Sequence, residues 1–553
     1  MSHDIATEGL MNLAEPIQIV DLFAGPGGLG EGFSSFLGGR RFKIIASAEM
    51  DPVAHQTLKL RAFFRILKQK GEGFLADYYN YCNGLTPQPW TDATMTEWEM
   101  ADLEARCITL GTKSGDDTLD EILDKQLDQT KPWVLIGGPP CQAYSVVGRS
   151  RNMGKANYTP EEDHRHFLYR DYLRIIQERQ PTIFVMENVK GILSAKINGE
   201  SIFSKILEDL ADPDRALGVA GAGKKYRICS LVSDQVFDAE NSFDIDPREY
   251  IIRSEQYGIP QARHRVILLG VAIDAARPIP SYEKLPRVSE LVSTKTVIGH
   301  LPKIRSRLTK QVDSDSQWMK VVMVQFELIA AGLACTPELS DMLKTLKKFQ
   351  RYFSSSKLSV GSLRVERSDG DGFIDGGALD DWFLDRNLTC WLNHDARGHM
   401  ASDLMRYLYA SIFAAHKGYS PKGHREFNLP GLAPAHKNWE SGKFSDRFRV
   451  QCSNNPSRTI TSHISKDGHY FIHYDPAQCR SLSVREAARL QTFPDNYFFE
   501  GNRSQQYHQV GNAVPPLLAS KIDSIVSQLV AAAVDDVSST LNISPLEELE
   551  VEA

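Results

Sequence analysis

The stretch that most constrains the fold is residues 17–51. IQIVDLF reads as a buried strand and AGPGGLG as a glycine-rich turn. A helix is expected from about Glu31, and KIIASA (43–48) reads as a second strand ending at Glu49-Met50-Asp51. Strand, glycine loop, helix, strand and acid, in that order, open a doubly wound α/β sheet. Gly25, Gly27 and Gly30 fit GxGxxG, and Glu49 stands about 20 residues on, where an acid can take ribose hydroxyls. Taken alone, the pattern suits a dinucleotide oxidoreductase, an enzyme using S-adenosylmethionine, or a bare turn.

Further strands are expected at 133–137 (WVLIG), 182–186 (TIFVM), 226–232 (YRICSLV) and 265–271 (RVILLGV), with a helix over 161–179 opened by Pro160. Strands separated by helices imply a parallel sheet with both faces covered. A chain of 553 residues exceeds one core, and its length favours about two to four domains. The texture changes near 291, where the helical DMLKTLKKFQRYF is followed by Gly, Ser and Asp clusters (368–377). Regular helical patterns return at 483–493 and 517–534. The expected division is therefore 1–290 for the first part of the sheet domain, with an insertion at 52–130 that carries no chemical motif. A separate mixed domain follows at 291–470, the sheet domain returns at 471–534, and 535–553 is an acidic, disordered tail.

Net charge is −7, which argues against a polyanion partner, but the charge is unevenly spread. Residues 291–470 hold 25 basic and 18 acidic side chains and eight of the 15 histidines. A basic block in an acidic chain suggests one domain facing a polyanion; the alternative is a solvated surface. No apolar run reaches the ~18 residues needed to span a bilayer, and the first residues lack the pattern of a signal peptide, so a cytoplasmic protein is expected. None of the eight cysteines forms a CxxC pair. Cys82, Cys107, Cys229, Cys335, Cys390, Cys452 and Cys479 read as reduced packing residues. The histidines of NHDARGHM (393–400) read as a polar structural or phosphate-facing cluster, not a metal site.

The eighth cysteine is set differently. In GGPPCQAYS (137–145), Pro139 and Pro140 stiffen the backbone ahead of Cys141. The thiol follows a strand end, where open sheets bind ligands. FVMENV (184–189) puts Glu187 and Asn188 at another strand end, a place for proton chemistry. QARHR (261–265) sets Gln261, Arg263 and Arg265 on alternate positions, hence on one face if the segment is a strand. Arginines there can hold phosphate or raise the potential beside the thiol. Each feature alone is ordinary; together, at successive strand ends, they point to catalysis.

With DLFAGPGGLGEGF (21–33), RSLSVREAARLQTFPDNY (480–497) and QVGNAVPP (509–516), these stretches resemble the cytosine carbon-5 DNA methyltransferases of restriction–modification systems. The resemblance covers nearly all of the chain outside 291–470. It implies an S-adenosylmethionine-dependent Rossmann-like sheet with 291–470 as the target-recognition domain. It implies methylation of carbon 5 of a cytosine flipped out of a specific double-stranded DNA site. Cys141 is implied as the nucleophile on carbon 6, Glu187 as the acid at ring nitrogen 3, and Arg263 and Arg265 as groups favouring the thiolate. Phe23, Gly25, Gly27 and Leu29 are implied to line the methionine end of the cofactor, and Asp21, Ala24, Gly28 and Pro139 to be among its other contacts. Glu49 would take the ribose, Met50 would pack near the adenine, and Asn512 and Val514 would close the site. Pro140, Gln142, Ser145, Asn188 and Gln261 would serve the flipped base and its loop. Tyr144 stands where the family often has Phe. The contact to the adenine amino group is left between Leu110-Gly111 and Gly115-Asp116-Asp117. The implied partners are DNA and a cognate restriction endonuclease, with no membrane and no metal, for a monomer. The competing readings are a transfer-RNA cytosine methyltransferase, a dinucleotide oxidoreductase and a catalytically retired DNA-binding relative.

Overall fold

The computed structural model describes residues 15–140, 168–197, 199–239, 245–273, 281–354, 358–368, 377–435, 439–440 and 447–541. Its centre is a nine-stranded sheet. In chain order the strands are β1 (Ile17–Leu22), β2 (Phe42–Glu49), β3 (Ala105–Cys107), β4 (Trp133–Gly137) and β5 (Ile183–Val189), then β6 (Lys225–Cys229), β7 (Val236–Phe237), β8 (Ile251–Arg253) and β9 (His264–Ile273). Across the sheet they run β3-β2-β1-β4-β5-β9-β6-β7, with β8 also on β9.

The first five of these neighbours are parallel, but β9 runs antiparallel to β5, β6 and β8. The expectation of a wholly parallel sheet is corrected on that side. A short connection brings the chain from β8 straight back along β9, and an apolar run reads the same in either direction. The chain winds outward through β2 and β3, then returns to β4 on the other flank of β1. The carboxyl ends of β1 and β4 thus form the switch point where open sheets hold ligands.

Alternation along each strand fills two cores. Val20, Leu135, Phe184 and Leu268 face one cluster, completed by helices α5 (Lys113–Gln126), α6 (Leu168–Arg179) and α7 (Ile202–Ala211). Ile19, Ile136, Val185 and Leu269 face the other, completed by α1 (Gly28–Ser35) and α13 (Pro516–Leu541). Each fully buried Leu or Ile contributes about 1.5–3 kcal/mol, so α13 holds the sheet although it comes from the far end of the sequence. α1 starts at Gly28, earlier than expected, because left-handed Gly27 (φ 95°) turns the chain directly into the helix. α13 continues to Leu541, so the expected tail loses its first seven residues to helix; the remainder lies outside the described residues.

The region read as an insertion without a motif supplies β3 to the sheet. It also supplies α2 (Pro52–Lys70), α3 (Ala76–Cys82) and α4 (Met95–Glu104). The end of α3 grips a hairpin of the middle region, β10 (Gly361–Glu366) and β11 (Cys390–Asp395): Arg364 donates to the carbonyls of Cys82 (2.7 Å) and Tyr81 (2.9 Å). The middle region has its own helical core, in which α8 (Asp315–Ala334), α9 (Met342–Ser354) and α10 (Ala401–Lys417) bury Trp318, Phe326, Leu346, Phe353 and Leu408. The returning part adds α11 (Val484–Leu490) and α12 (Arg503–Asn512). Of the cysteines read as packing residues, Cys107 and Cys335 are exposed. Among the described residues no helix is long and apolar enough to cross a membrane.

Candidate active site

Cys141, Gln142, Tyr144 and Ser145 lie outside the described residues. The backbone leading to them is well defined. After β4 the chain passes through Gly138, where a Cβ would sit 3.1 Å from Glu187 Oε2, so that any side chain there would have to shift the carboxylate. Asn188 donates to the carbonyl of Pro139 at 3.5 Å, and its Oδ1 accepts from the Val189 N–H at 2.8 Å. GGPP and ENV are therefore two sides of one joint. The glycine admits the acid, and the asparagine holds the backbone two residues before Cys141.

Glu187 meets Arg265 across the β5–β9 ladder, where Arg265 stands opposite Val189 and Ile267 opposite Glu187. The Arg265 Nε lies 2.7 Å from Glu187 Oε1, and both side chains keep 13% of their exposure. The other two members of QARHR do not share this face. Gln261–Ala262 pairs with Ser457–Arg458 in a separate ladder, and β9 begins only at His264. Alternation along one strand therefore does not apply. Gln261 donates to the Leu490 carbonyl (3.0 Å) and to Gln491 (2.7 Å), and accepts from the Ile460 N–H (2.6 Å). Arg263 donates to the carbonyls of Ile460 (2.7 Å) and Gly511 (3.4 Å). Complete burial, and then the Arg265 charge, push its guanidinium well below the usual arginine range.

One strand over, the glycine loop and Glu49 form a second joint. Glu49 ends β2 and accepts from the N–H of Gly25 (2.8 Å) and of Asp51 (2.7 Å), one oxygen each. Burial raises its pKa, while these backbone donors oppose the rise. Phe23 leaves β1 with a left-handed φ of 58°, a conformation costly for a side-chain-bearing residue and typical of functional turns. Phe23, Ala24 and Gly25 are half-buried, Gly27 and Leu29 are buried, and Met50 and Asn512 are exposed. Val514 closes on α1 so tightly that a Cβ on Gly28 would lie 2.2 Å from its carbonyl oxygen. Asp21 has no exposure, and neither carboxylate oxygen has a hydrogen-bond partner among the described residues. Burial raises its pKa to about 8, with the Arg65 charge opposing the rise.

Sequence reasoning missed several neighbours. β3 ends at Cys107, the parallel partner of Glu49, and the Ile108 N–H donates to the Glu49 carbonyl at 3.0 Å. A three-residue strand among helices leaves no periodic signal. Of the residues considered for the adenine contact, Leu110 is buried and Asp116 accepts from the Gly111 N–H at 3.0 Å. Arg61 of α2 pairs with buried Glu31 at 2.7 Å, and the Tyr497 hydroxyl donates to the Pro26 carbonyl, clamping the glycine loop from outside. In the returning segment Arg480 forks onto Glu486 (2.6 and 2.7 Å) and Arg489 onto Asp495 (2.9 and 2.7 Å). Burial would raise the Glu486 pKa, but Arg480 and then His473 hold it well below the carboxylate range. The histidines of 393–400 are also internal: His394 contacts Ser483 Oγ and the Pro302 carbonyl, each at 2.8 Å.

The model of the C-5 cytosine-specific DNA methylase family matches residues 107–214 and 234–527. The Type II methyltransferase M.Bpa9945I of Bacillus paralicheniformis is 32% identical over 93% of this chain and 99% of its own length. The Type II methyltransferase M.AgeI of Thalassovita gelatinovora is 28% identical over 70% of this chain and 80% of its own. The DNA (cytosine-5-)-methyltransferase M.ApeKI of Aeropyrum pernix is 26% identical over 72% and 82%. These likenesses set aside the oxidoreductase reading of the glycine loop. A doubly wound switch point, an acid–arginine pair at its edge and a family match over most of the sequence agree: this chain belongs to the C-5 cytosine-specific DNA methylases and is a DNA cytosine-5 methyltransferase.

Proposed function

We propose that Cys141 is the nucleophile and that the Glu187–Arg265 pair is its acid partner. The observation that carries this reading is the joint itself. Glu187 abuts Gly138, Asn188 holds the Pro139 carbonyl, and both stand beside the Glu49–Gly25 joint at the switch point. The thiolate adds to carbon 6 of cytosine while Glu187, steadied by Arg265, hydrogen-bonds ring nitrogen 3. The ring's electron density then gathers at carbon 5. When bound, S-adenosylmethionine supplies a methyl group on a positively charged sulfur as the electrophile for that carbon. Loss of the carbon-5 proton and breaking of the carbon 6–sulfur bond return the thiolate and leave 5-methylcytosine. Reaching the base requires flipping it from the duplex.

The residues present fit the cofactor. Phe23, Ala24 and Gly25 give the loop, Glu49 faces it with a carboxylate held by backbone donors, and exposed Met50 and Asn512 flank the opening. Asp21 supports the loop from beneath. Arg263 and Gln261 act as positioning residues, since the Arg263 Nη1 and the Gln261 amide donate to residues 460–511. The middle region, 291–470, reads the DNA sequence. The relatives' type II names suggest a restriction endonuclease of the same specificity as a partner, and the protein acts as a monomer.

A duplex carrying 5-fluorocytosine tests the mechanism, because fluorine cannot leave as a cation and the adduct is trapped. The expected outcome is a permanent complex with the wild type and none with Cys141→Ala. Labelled methyl groups should enter duplex DNA and not transfer RNA. Label confined to transfer RNA would overturn the substrate.

A further inference from the structure

We propose that the outer face of α9 lies along the phosphate backbone of DNA flanking the target site. Lys344, Lys347, Lys348 and Arg351 are all exposed, and their spacing of i, i+3, i+4, i+7 puts them in one stripe. The opposite face is core, where Met342, Leu346 and Phe353 are fully buried. The helix, MLKTLKKFQRYFS, contains no acid. Among the described residues no carboxylate lies within ion-pair distance of the four cations; exposed Glu327 and Glu338 on the preceding segments pair with none of them. Asp341, just ahead of the helix, is engaged by His416 (2.9 Å) and Lys417 (3.4 Å) of α10.

Like charges three and four apart weaken a helix, so an unrelieved stripe is a cost. An ordinary solvated helix of this same chain, α5, mixes signs and pairs Lys125 with Glu121. A counter-charge beyond the described residues would relieve the stripe, and a polyanion fits. The stripe is about 10 Å long, over which duplex DNA presents about six charges. Its far end carries exposed Tyr352, whose hydroxyl accepts from Lys303 at 2.7 Å. Lys303 in turn lies 3.6 Å from Asp475 of the returning segment. The basic face thus begins at the junction with the sheet domain and runs outward.

The proposal rests on DNA being the substrate. The test is the salt dependence of binding to long duplex DNA of random sequence, since phosphate contacts carry no sequence information. K344Q, K347Q, K348Q and R351Q combined should flatten the slope of log affinity against log salt by about 2–4, with about ten-fold or greater loss of affinity at low salt. Cofactor affinity and turnover at saturating DNA should not change, and the melting temperature should not fall. A variant with the same loss of charge on the sheet domain, K113Q, K125Q, K205Q and K225Q combined, should keep the wild-type slope. An unchanged slope in the α9 variant, or an equal flattening in both variants, would overturn the proposal. A wild type that binds no duplex would instead overturn the substrate reading.

Discussion

Two arginine–carboxylate pairs in this molecule have similar geometry and different settings. Arg265 and Glu187, at the sheet edge, meet at 2.7 Å and remain 13% exposed on each side. Arg480 and Glu486, in the returning segment, meet at 2.6 Å with 0% and 2% exposed. The second pair is sealed; Glu486 also accepts from the Ser483 N–H and closes the cap of α11. The first pair keeps part of its surface accessible, with Glu187 Oε2 beside Gly138. A sealed pair fixes architecture, whereas an accessible one is free to meet another group.

The largest effect that tests this contrast is on turnover. Glu187→Gln should cut the rate by about 100–10,000-fold, the usual contribution of a positioned acid, with an unchanged melting temperature. Retained turnover would put Glu187 on the same footing as Glu486. Next, Glu486→Gln should cost about 3–5 kcal/mol of stability, because it leaves a buried arginine without its counter-charge. Activity per folded molecule should be nearly normal; denaturant unfolding alongside single-turnover rates would show it. A rate defect without a stability defect would break the distinction from the other side.

The smallest effect is that of pH on the sealed region. His394 is fully buried, and burial first, against the pull of Glu486, lowers its pKa from 6.5 to about 4. Burial lowers His399 as well, and the Arg397 charge adds to the fall. His394 Nδ1 faces the Ser483 hydroxyl, so protonation would remove an acceptor. The unfolded chain takes up this proton near pH 6.5, the folded one only near 4, so stability is full above that window and falls through it on acidification. The loss attributable to His394 should reach ~3 kcal/mol. Thermal melts should show it for the wild type and less of it for His394→Gln; a flat profile would remove the histidines from the sealed architecture.

The two members of the open pair stood out in the sequence, though not as a pair, and the sealed architecture was legible only in part, for a physical reason. Strands announce themselves through runs and alternation over a few residues, and glycine and proline announce turns. Glu187, Arg265, Glu49 and the glycine loop all sit at such local signals. Gln261 and Arg263 sit there too, yet their partners lie 197 to 248 residues away, and nothing local marks them. The antiparallel course of β9 was hidden because strand direction depends on the connection. β3 was hidden by its three-residue length. α13 outran its expected end because no proline or glycine follows until Pro545, and two acids do not stop a helix.

The packing of α13 on α1 has a consequence for biosynthesis. Phe33, near the start of the chain, shares its core with Leu518 and Ile522, and Val514 seals Gly28. A ribosome must therefore reach residues 514–522 before the loop that would cradle the methyl donor acquires its floor. Products terminated before that segment should be unable to mark DNA, which makes the modification report on synthesis of both halves of this core.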